Sequence, residues 1–264
     1  MHLEIINRYP QTTTHAVPLL FVHGAFARAQ VWDEHFLPYF AQQGYQAHAV
    51  SLRGHGASAG HENMHQWGLA DYVADLVQAV QTLDRSPVLI GHSMGGMVVQ
   101  KYLESHPAPG VVLMASAPPQ GLLPSLWGMA VGDPLLLYRL TLLQTFGPAF
   151  STPDVLRQAL FSDSTPDSQL LGYYSMLQQE SQRASLDMLG LDPLRLARDH
   201  GIPMLVMGAG RDAFFSTGLI KDVAQHYQTE AVIFPDMAHA MMLESNWEQA
   251  ALHLLHWLNQ QFAD

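Results

Sequence analysis

Gly91-His92-Ser93-Met94-Gly95-Gly96 follows the apolar run Pro87–Ile90 and leads into Met97-Val98-Val99-Gln100-Lys101-Tyr102-Leu103-Glu104. The first run reads as a strand and the second as a helix, so a Gly-x-Ser-x-Gly motif sits on the turn between them. Such a turn is tight enough to force the serine into an unfavourable backbone conformation. Side chains at positions 91 and 95 would then collide, and a glycine at 96 lets helix and strand pack closely. Strain of this kind costs about 1–3 kcal/mol and persists where function uses it. Here it holds the Ser93 hydroxyl clear of the backbone and aims the start of the following helix at a reacting group.

On either side of this motif, short apolar runs alternate with longer amphipathic segments. Leu19–Val22, Ala47–Leu52, Val88–Ile90, Val111–Ala115, Met204–Met207 and Ala231–Phe234 have the length and composition of buried parallel strands. Val31–Gln43, Leu69–Leu83, Met97–Ser105, Leu219–Tyr227 and Trp247–Phe262 read as helices. In the second of these, Leu69, Tyr72, Val73, Leu76, Val77, Val80 and Leu83 form one stripe. The alternation predicts an α/β fold, with a mostly parallel central sheet covered by helices on both faces.

The alternation breaks once. Ser116 to Pro203 is rich in Leu and Met and punctuated by Pro118, Pro119, Pro124, Pro134, Pro148, Pro153, Pro166 and Pro193. This composition predicts several short helices inserted over the sheet. The expected organisation is therefore a core domain of residues 1–115 and 204–264 carrying a helical cap at 116–203. Leu122, Leu123, Leu126, Trp127, Met129, Leu135–Leu137, Leu140, Leu142, Leu143 and Phe146 supply enough apolar surface to line an acyl pocket, or to form the core of the cap itself.

A serine hydroxyl is a weak nucleophile without a base that a third group orients. Fifteen histidines compete for that role. His239 follows the last strand-like run and precedes the last helix, and Asp212 directly follows Met204–Met207. Loops at the carboxyl ends of strands are where sites form in open α/β sheets, and the order Ser93, Asp212, His239 suits this sheet type. Asp236 is nearer to His239 in sequence but reads as a capping or solvated residue of the same loop. Acyl transfer also needs two donors for the developing oxyanion. The N–H of Met94, at the start of its helix, is one. The N–H of Ala25, in the loop His23-Gly24-Ala25-Phe26, is the best-placed second. His23 reads as an organiser of that loop.

Together these pieces resemble the α/β-hydrolase superfamily with a helical cap. The carriers are His23-Gly24, Arg53-Gly54-His55-Gly56-Ala57-Ser58, the Gly91–Gly96 turn, Asp212 and His239. Small carboxylesterases and lysophospholipase- or monoglyceride-lipase-like enzymes are the most similar members. The resemblance implies Ser93 as nucleophile, His239 as base, Asp212 as its orienting acid and the amides of Ala25 and Met94 as oxyanion donors, with no cofactor. The Arg53–Ser58 loop marks the fold without chemistry of its own. Ser51 stands where many relatives have an acidic residue, so the ion pair made there is not expected. Haloalkane dehalogenases and most epoxide hydrolases have Asp at position 93 and are set aside. Carbon–carbon hydrolases usually carry an aromatic residue after the catalytic histidine, where this chain has Ala240 and Met241.

Composition bounds the rest. The chain of 264 residues is 48% hydrophobic and has 12 Lys+Arg against 23 Asp+Glu, a formal charge of −11. That excess repels phosphate backbones, so nucleic acid is not an expected partner. There is no cysteine, which excludes disulfides, thiolate metal sites and a cysteine nucleophile. The N-terminus has neither the basic nor the apolar region of a signal peptide, and no run reaches the ~18 apolar residues of a membrane span, so the expectation is a cytoplasmic protein. His61-Glu62-Asn63-Met64-His65 matches the H-E-x-x-H zinc motif, but in a loop-like context with no third ligand downstream, so no metal is expected. The expected activity is hydrolysis of short- to medium-chain carboxylic esters through an acyl-enzyme, on a small-molecule substrate. The same triad also serves carbon–carbon hydrolases, cofactor-free lyases, perhydrolases and slow-turnover ligand receptors, and fold alone does not choose among them.

Overall fold

The computed structural model describes residues 1–11, 15–191, 194 and 201–262. Strands β1 (Ile5–Arg8), β2 (Leu19–Val22), β3 (Ala47–Val50), β4 (Val88–His92), β5 (Val111–Met114), β6 (Met204–Ala209) and β7 (Ala231–Phe234) form one sheet in the order β1-β3-β2-β4-β5-β6-β7. All neighbours are parallel except β1, which runs antiparallel to β3 with Ile5 opposite Val50. Every strand predicted from the sequence is present. β1 was not predicted, because its Ile-Ile-Asn-Arg run is half exposed at the sheet edge and carries little apolar signal.

Alternate residues of each strand serve opposite cores. Leu19, Phe21, Ala47, Ala49, Val88, Ile90, Val112 and Met207 face one side with α2 (Phe36–Gln42) and α11 (Trp247–Gln261). Leu20, Val22, Val50, Leu89, Val111, Leu113 and Val206 face the other, against α3 (Leu69–Gln81), α4 (Met94–Tyr102) and α10 (Thr217–His226). Both faces are thus buried, as a parallel sheet requires.

Two expected helices begin or divide differently. Val31–Gln43 is split into α1 (Gln30–Asp33) and α2, with His35 between them at φ −136°. Pro38 lies in the first turn of α2. In one continuous helix its ring would clash with the carbonyl of Glu34, so the chain breaks upstream of it. Helix α4 starts at Met94 rather than Met97, directly after Ser93.

Between β5 and β6 the chain forms α5 (Leu123–Gly132), α6 (Pro134–Phe146), α7 (Pro153–Leu160), α8 (Asp167–Tyr174) and α9 (Gln182–Leu186). The prolines start helices rather than interrupt them: α5, α6 and α7 each carry one in the first turn. Asp133, Thr152 and Ser181 cap α6, α7 and α9 through their side-chain oxygens. Leu136, Val155 and Ala159 form a small core of their own against Ala213 and Phe214. Residues 192, 193 and 195–200 of the expected insertion, Pro193 among them, lie outside the described residues. Among the described residues no helix is long and apolar enough to cross a membrane.

Candidate active site

Ser93 joins β4 to α4 with φ 53° and ψ −118°, a conformation that side chains rarely adopt. The flanking glycines show why it is tolerated. A Cβ on Gly91 would stand 2.5 Å from the carbonyl oxygen of Gly95, and one on Gly95 would press on the carbonyl oxygens of Val22 and His23. A Cβ on Gly96 would overlap the Ser116 hydroxyl. The strained turn is held by Ser93 N–H donating to Met114 O at 3.2 Å and Ala117 N–H donating to Ser93 O at 3.1 Å.

His239, past β7, donates from Nδ1 to Oδ2 of Asp212 at 2.8 Å, with both side chains buried. Asp212 lies in the loop between β6 and α10. Its other oxygen accepts from the N–H groups of Phe214 (2.7 Å) and Phe215 (3.0 Å). These bonds fix the carboxylate, and the carboxylate in turn fixes the imidazole with Nε2 as acceptor. The rings of Phe214 and Phe215 pack on His239 at 4.7 and 5.5 Å. Asp236 is exposed and pairs with Arg211 at 3.3 Å, away from the imidazole's partners. Ser93 and His239 open on one cavity, although no hydrogen bond joins them among the described residues.

The loop after β2 lies close against the turn: a Cβ on Gly24 would come within 2.9 Å of His92 Nδ1 and 3.0 Å of Ser93 Cβ. Ala25 lines the same cavity, and the N–H groups of Ala25 and Met94 have no protein acceptor among the described residues. His23 does organise this loop. Its Nδ1 donates to Gly24 O at 2.8 Å and its Nε2 accepts from Leu52 N–H at 3.1 Å. Burial first, then the nearby His55, push its pKa down to about 3.

Three residues escaped the sequence reading. His92, in the variable position of the motif, donates from Nε2 to the backbone carbonyl of His239 at 2.9 Å. Burial, followed by the neighbouring His239, holds it neutral well below the usual histidine range. Glu244, fully buried, accepts from Ala238 N–H (2.9 Å) and Ser162 N–H (2.7 Å), tying the His239 loop to the end of α7. Glu180, between α8 and α9, reaches the Phe26 amide at 3.3 Å. Each is a lone polar residue in an apolar or loop context, with no local pattern to mark it.

The place of Ser51 also has an unexpected solution. Its hydroxyl donates to Glu4 Oε2 at 2.6 Å and accepts from Ala29 N–H at 2.9 Å. The carboxylate that the sequence seemed to lack at this corner comes from the residue preceding β1. His61–Gln66 forms a 3-10 helix with Asn63 off helical values, so His61 and His65 do not share the face that an α-helix would give them. His61 instead contacts Gly56 O at 3.1 Å.

The cavity has a volume of about 120 Å³ and is walled by apolar side chains, among them Val31, Leu143, Leu156, Phe161, Tyr173 and Met242. Of the residues expected to supply an acyl pocket, Leu140 and Leu143 line it. Leu123, Trp127, Leu135 and Phe146 are exposed on α5 and α6, Met129 is buried, and Leu136 belongs to the small core beneath them. A helix without strong sidedness gives no sequence signal for which face turns inward.

The chain is 38% identical over 114 residues to the non-heme chloroperoxidase of Burkholderia pyrrocinia, a match spanning 39% of this chain and 38% of that protein's length. To the pimeloyl-[acyl-carrier protein] methyl ester esterase of Aliivibrio fischeri (strain MJ11) it is 23% identical, over 96% of this chain and 97% of the relative. Its fold superposes on the bromoperoxidase from Bacillus anthracis with a TM-score of 0.79 at 19% identity, covering 97% of this chain and 95% of the other. The sequence profile of the Alpha/beta hydrolase family matches residues 19–251, and the chain belongs to that family.

Proposed function

We propose that the protein is a serine hydrolase of neutral carboxylic esters, with α5–α9 acting as a cap over the acyl site. The observation that carries this reading is the Asp212–His239 pair at 2.8 Å, opening on the same cavity as a conformationally strained Ser93. Ser93 Oγ attacks the ester carbonyl while His239 Nε2 takes its proton. The tetrahedral oxygen is held by the N–H groups of Ala25 and Met94, and His239 returns the proton to the leaving alcohol. Water, deprotonated by His239, then attacks the acyl-enzyme, which releases the acid and restores Ser93 Oγ–H.

No Lys, Arg, Asp or Glu lines the cavity among the described residues, which favours an uncharged acyl chain of short to medium length. The esterase among the relatives agrees with ester chemistry. A Ser93→Ala variant, assayed on a panel of acyl esters, is expected to lose on the order of 10⁴-fold or more in kcat. Near-full activity would overturn the reading.

The chloroperoxidase relative favours a second use of the same acyl-enzyme. Hydrogen peroxide in place of water would attack the acyl carbonyl, giving a peracid and free Ser93. Peroxide-dependent peracid formation that is lost in Ser93→Ala identifies this route. Ester hydrolysis that peroxide leaves undiverted removes it.

A further inference from the structure

The loop that carries Ala25 is held on two sides, and one side belongs to the inserted helical segment. Glu180, 1% exposed, accepts at Oε1 from Tyr72 OH (2.8 Å) and Ser181 N–H (2.6 Å). Its Oε2 accepts from Phe26 N–H at 3.3 Å and lies 3.2 Å from His55 Nε2. Two residues earlier, Gln178 N–H donates to Phe26 O at 2.9 Å, and the Gln178 side chain accepts from Gly56 N–H at 2.7 Å. The peptides before and after Phe26 are therefore both fixed by residues 178–180. Phe26 itself stands at φ 62°, a value that a free loop residue would leave.

The preceding peptide is fixed separately. His23 Nδ1 holds Gly24 O, and Gly24 O belongs to the same rigid peptide plane as Ala25 N–H. His55, whose ring lies 4.9 Å from that of His23, links the two sides. Its Nδ1 donates to Arg53 O at 3.1 Å while its Nε2 faces Glu180. Burial opposes a charge on His55, but Glu180 beside it raises its pKa above the usual histidine range, and His55 in turn holds Glu180 below the usual carboxylate range. His55 and Glu180 thus form a close pair inside the protein, where leaving one member without the other is costly.

We propose that Glu180 is a positioning residue: it fixes the Ala25–Phe26 peptide and, with His55, aims Ala25 N–H at the oxygen of the reacting carbonyl. The inference rests on the serine-hydrolase reading. It means that the inserted segment completes the oxyanion site as well as covering the acyl pocket. A donor displaced by about 1 Å can cost on the order of 10²-fold in rate, and the loss falls on the transition state rather than on ester binding.

The test compares wild type, Glu180→Ala and Glu180→Gln on a p-nitrophenyl ester and on a trifluoromethyl ketone of matching acyl length, whose serine-bound hemiketal oxygen needs the same donors. Glu180→Ala is expected to lower kcat by about 10- to 100-fold at little-changed KM and to weaken ketone inhibition in proportion. Glu180→Gln, which keeps one acceptor, is expected between the two, at about three- to tenfold below wild type. If Glu180→Ala does not fold, Glu180→Gln and Gln178→Ala carry the same comparison. Unchanged kcat, or a fall in kcat without weaker ketone inhibition, overturns the proposal. A Ser93→Ala variant that stays active overturns the underlying hydrolase reading instead, whatever the Glu180 variants do.

Discussion

His92 donates a hydrogen bond from Nε2 to the backbone oxygen of His239 at 2.9 Å, so the residue preceding Ser93 holds the main chain of His239. The two rings lie 4.7 Å apart, and His92 also stands nearly perpendicular to the ring of Trp32, 6.3 Å between centroids. Replacing His92 with Phe keeps a ring there but leaves the His239 carbonyl with one donor, Met241 N–H at 2.9 Å, in place of two, at a cost of about 0.5–1.5 kcal/mol. The expected outcome is a drop in melting temperature and about a tenfold lower kcat, with KM little changed, because the imidazole loses its backing. Equal kcat in His92→Phe and wild type would show that the His239 loop is held well enough without it.

The same substitution, glycine to alanine, is expected to have opposite signs at two positions. At Gly95 the added methyl presses on the carbonyl oxygens of Val22 and His23, both fixed in β2 and its exit loop. Neither can yield, so Gly95→Ala is expected to destabilise by about 1–3 kcal/mol or more and to lower labelling of Ser93 by a fluorophosphonate. At Gly128 in α5 nothing lies within 4 Å, and the residue is exposed. Gly128→Ala is expected to stabilise by up to ~1 kcal/mol through helix propensity alone. Thermal melts of both variants decide it. A neutral Gly95→Ala would mean that the turn is looser than its geometry implies.

These glycines also mark what could be read from the sequence. The turn at Ser93, the parallel strands and the order Ser93, Asp212, His239 are legible because each is set by local rules: a Gly pattern, an apolar run, a loop after a strand. The structure places Asp212 Oδ2 2.8 Å from His239 Nδ1. The residues that hold them are not legible. Glu180 meets Phe26 across 154 residues, Glu244 meets Ser162 across 82, and Glu4 meets Ser51 across 47. Such contacts are fixed by tertiary packing, and one carboxylate in a loop looks like another until the chain is folded. For the same reason the stretch from Leu122 to Phe146 offered a dozen candidate pocket residues, of which packing brought Leu140 and Leu143 to the cavity.

That division predicts where acyl preference is set. Leu143 is buried on α6 and lines the cavity, whereas Trp127 on α5 is 73% exposed. Leu143→Trp fills part of a space of about 120 Å³ and is expected to shift preference toward shorter acyl chains, with at least a tenfold loss in kcat/KM on the longer esters. Trp127→Ala is expected to leave the ranking of chain lengths unchanged. A changed ranking in Trp127→Ala with none in Leu143→Trp would move the acyl site away from this cavity.

Stability is expected to fall on both sides of neutral pH, for reasons that separate by residue. Unfolded, His23 binds its proton near ~6.5; folded, it does so only at about 3, because burial excludes the charged form. Between those values the unfolded chain holds the extra proton, so stability drops as pH falls, by at most ~1.4 kcal/mol per unit for this one group. His92, held neutral in the same way, acts in the same direction. His55 acts oppositely. Its folded pKa is raised by Glu180, so its contribution is complete below about 6.5 and is lost as pH rises through the elevated value. Urea denaturation across pH 4 to 9 should therefore show a maximum between the two limbs. His23→Asn removes the first titration and keeps polar atoms at the site. It is expected to be less stable at neutral pH but to lose less on acidification. Parallel acid limbs in wild type and His23→Asn would mean that the acid sensitivity arises at other groups, and that the neutral His23 holding Gly24 O is not what acid disrupts.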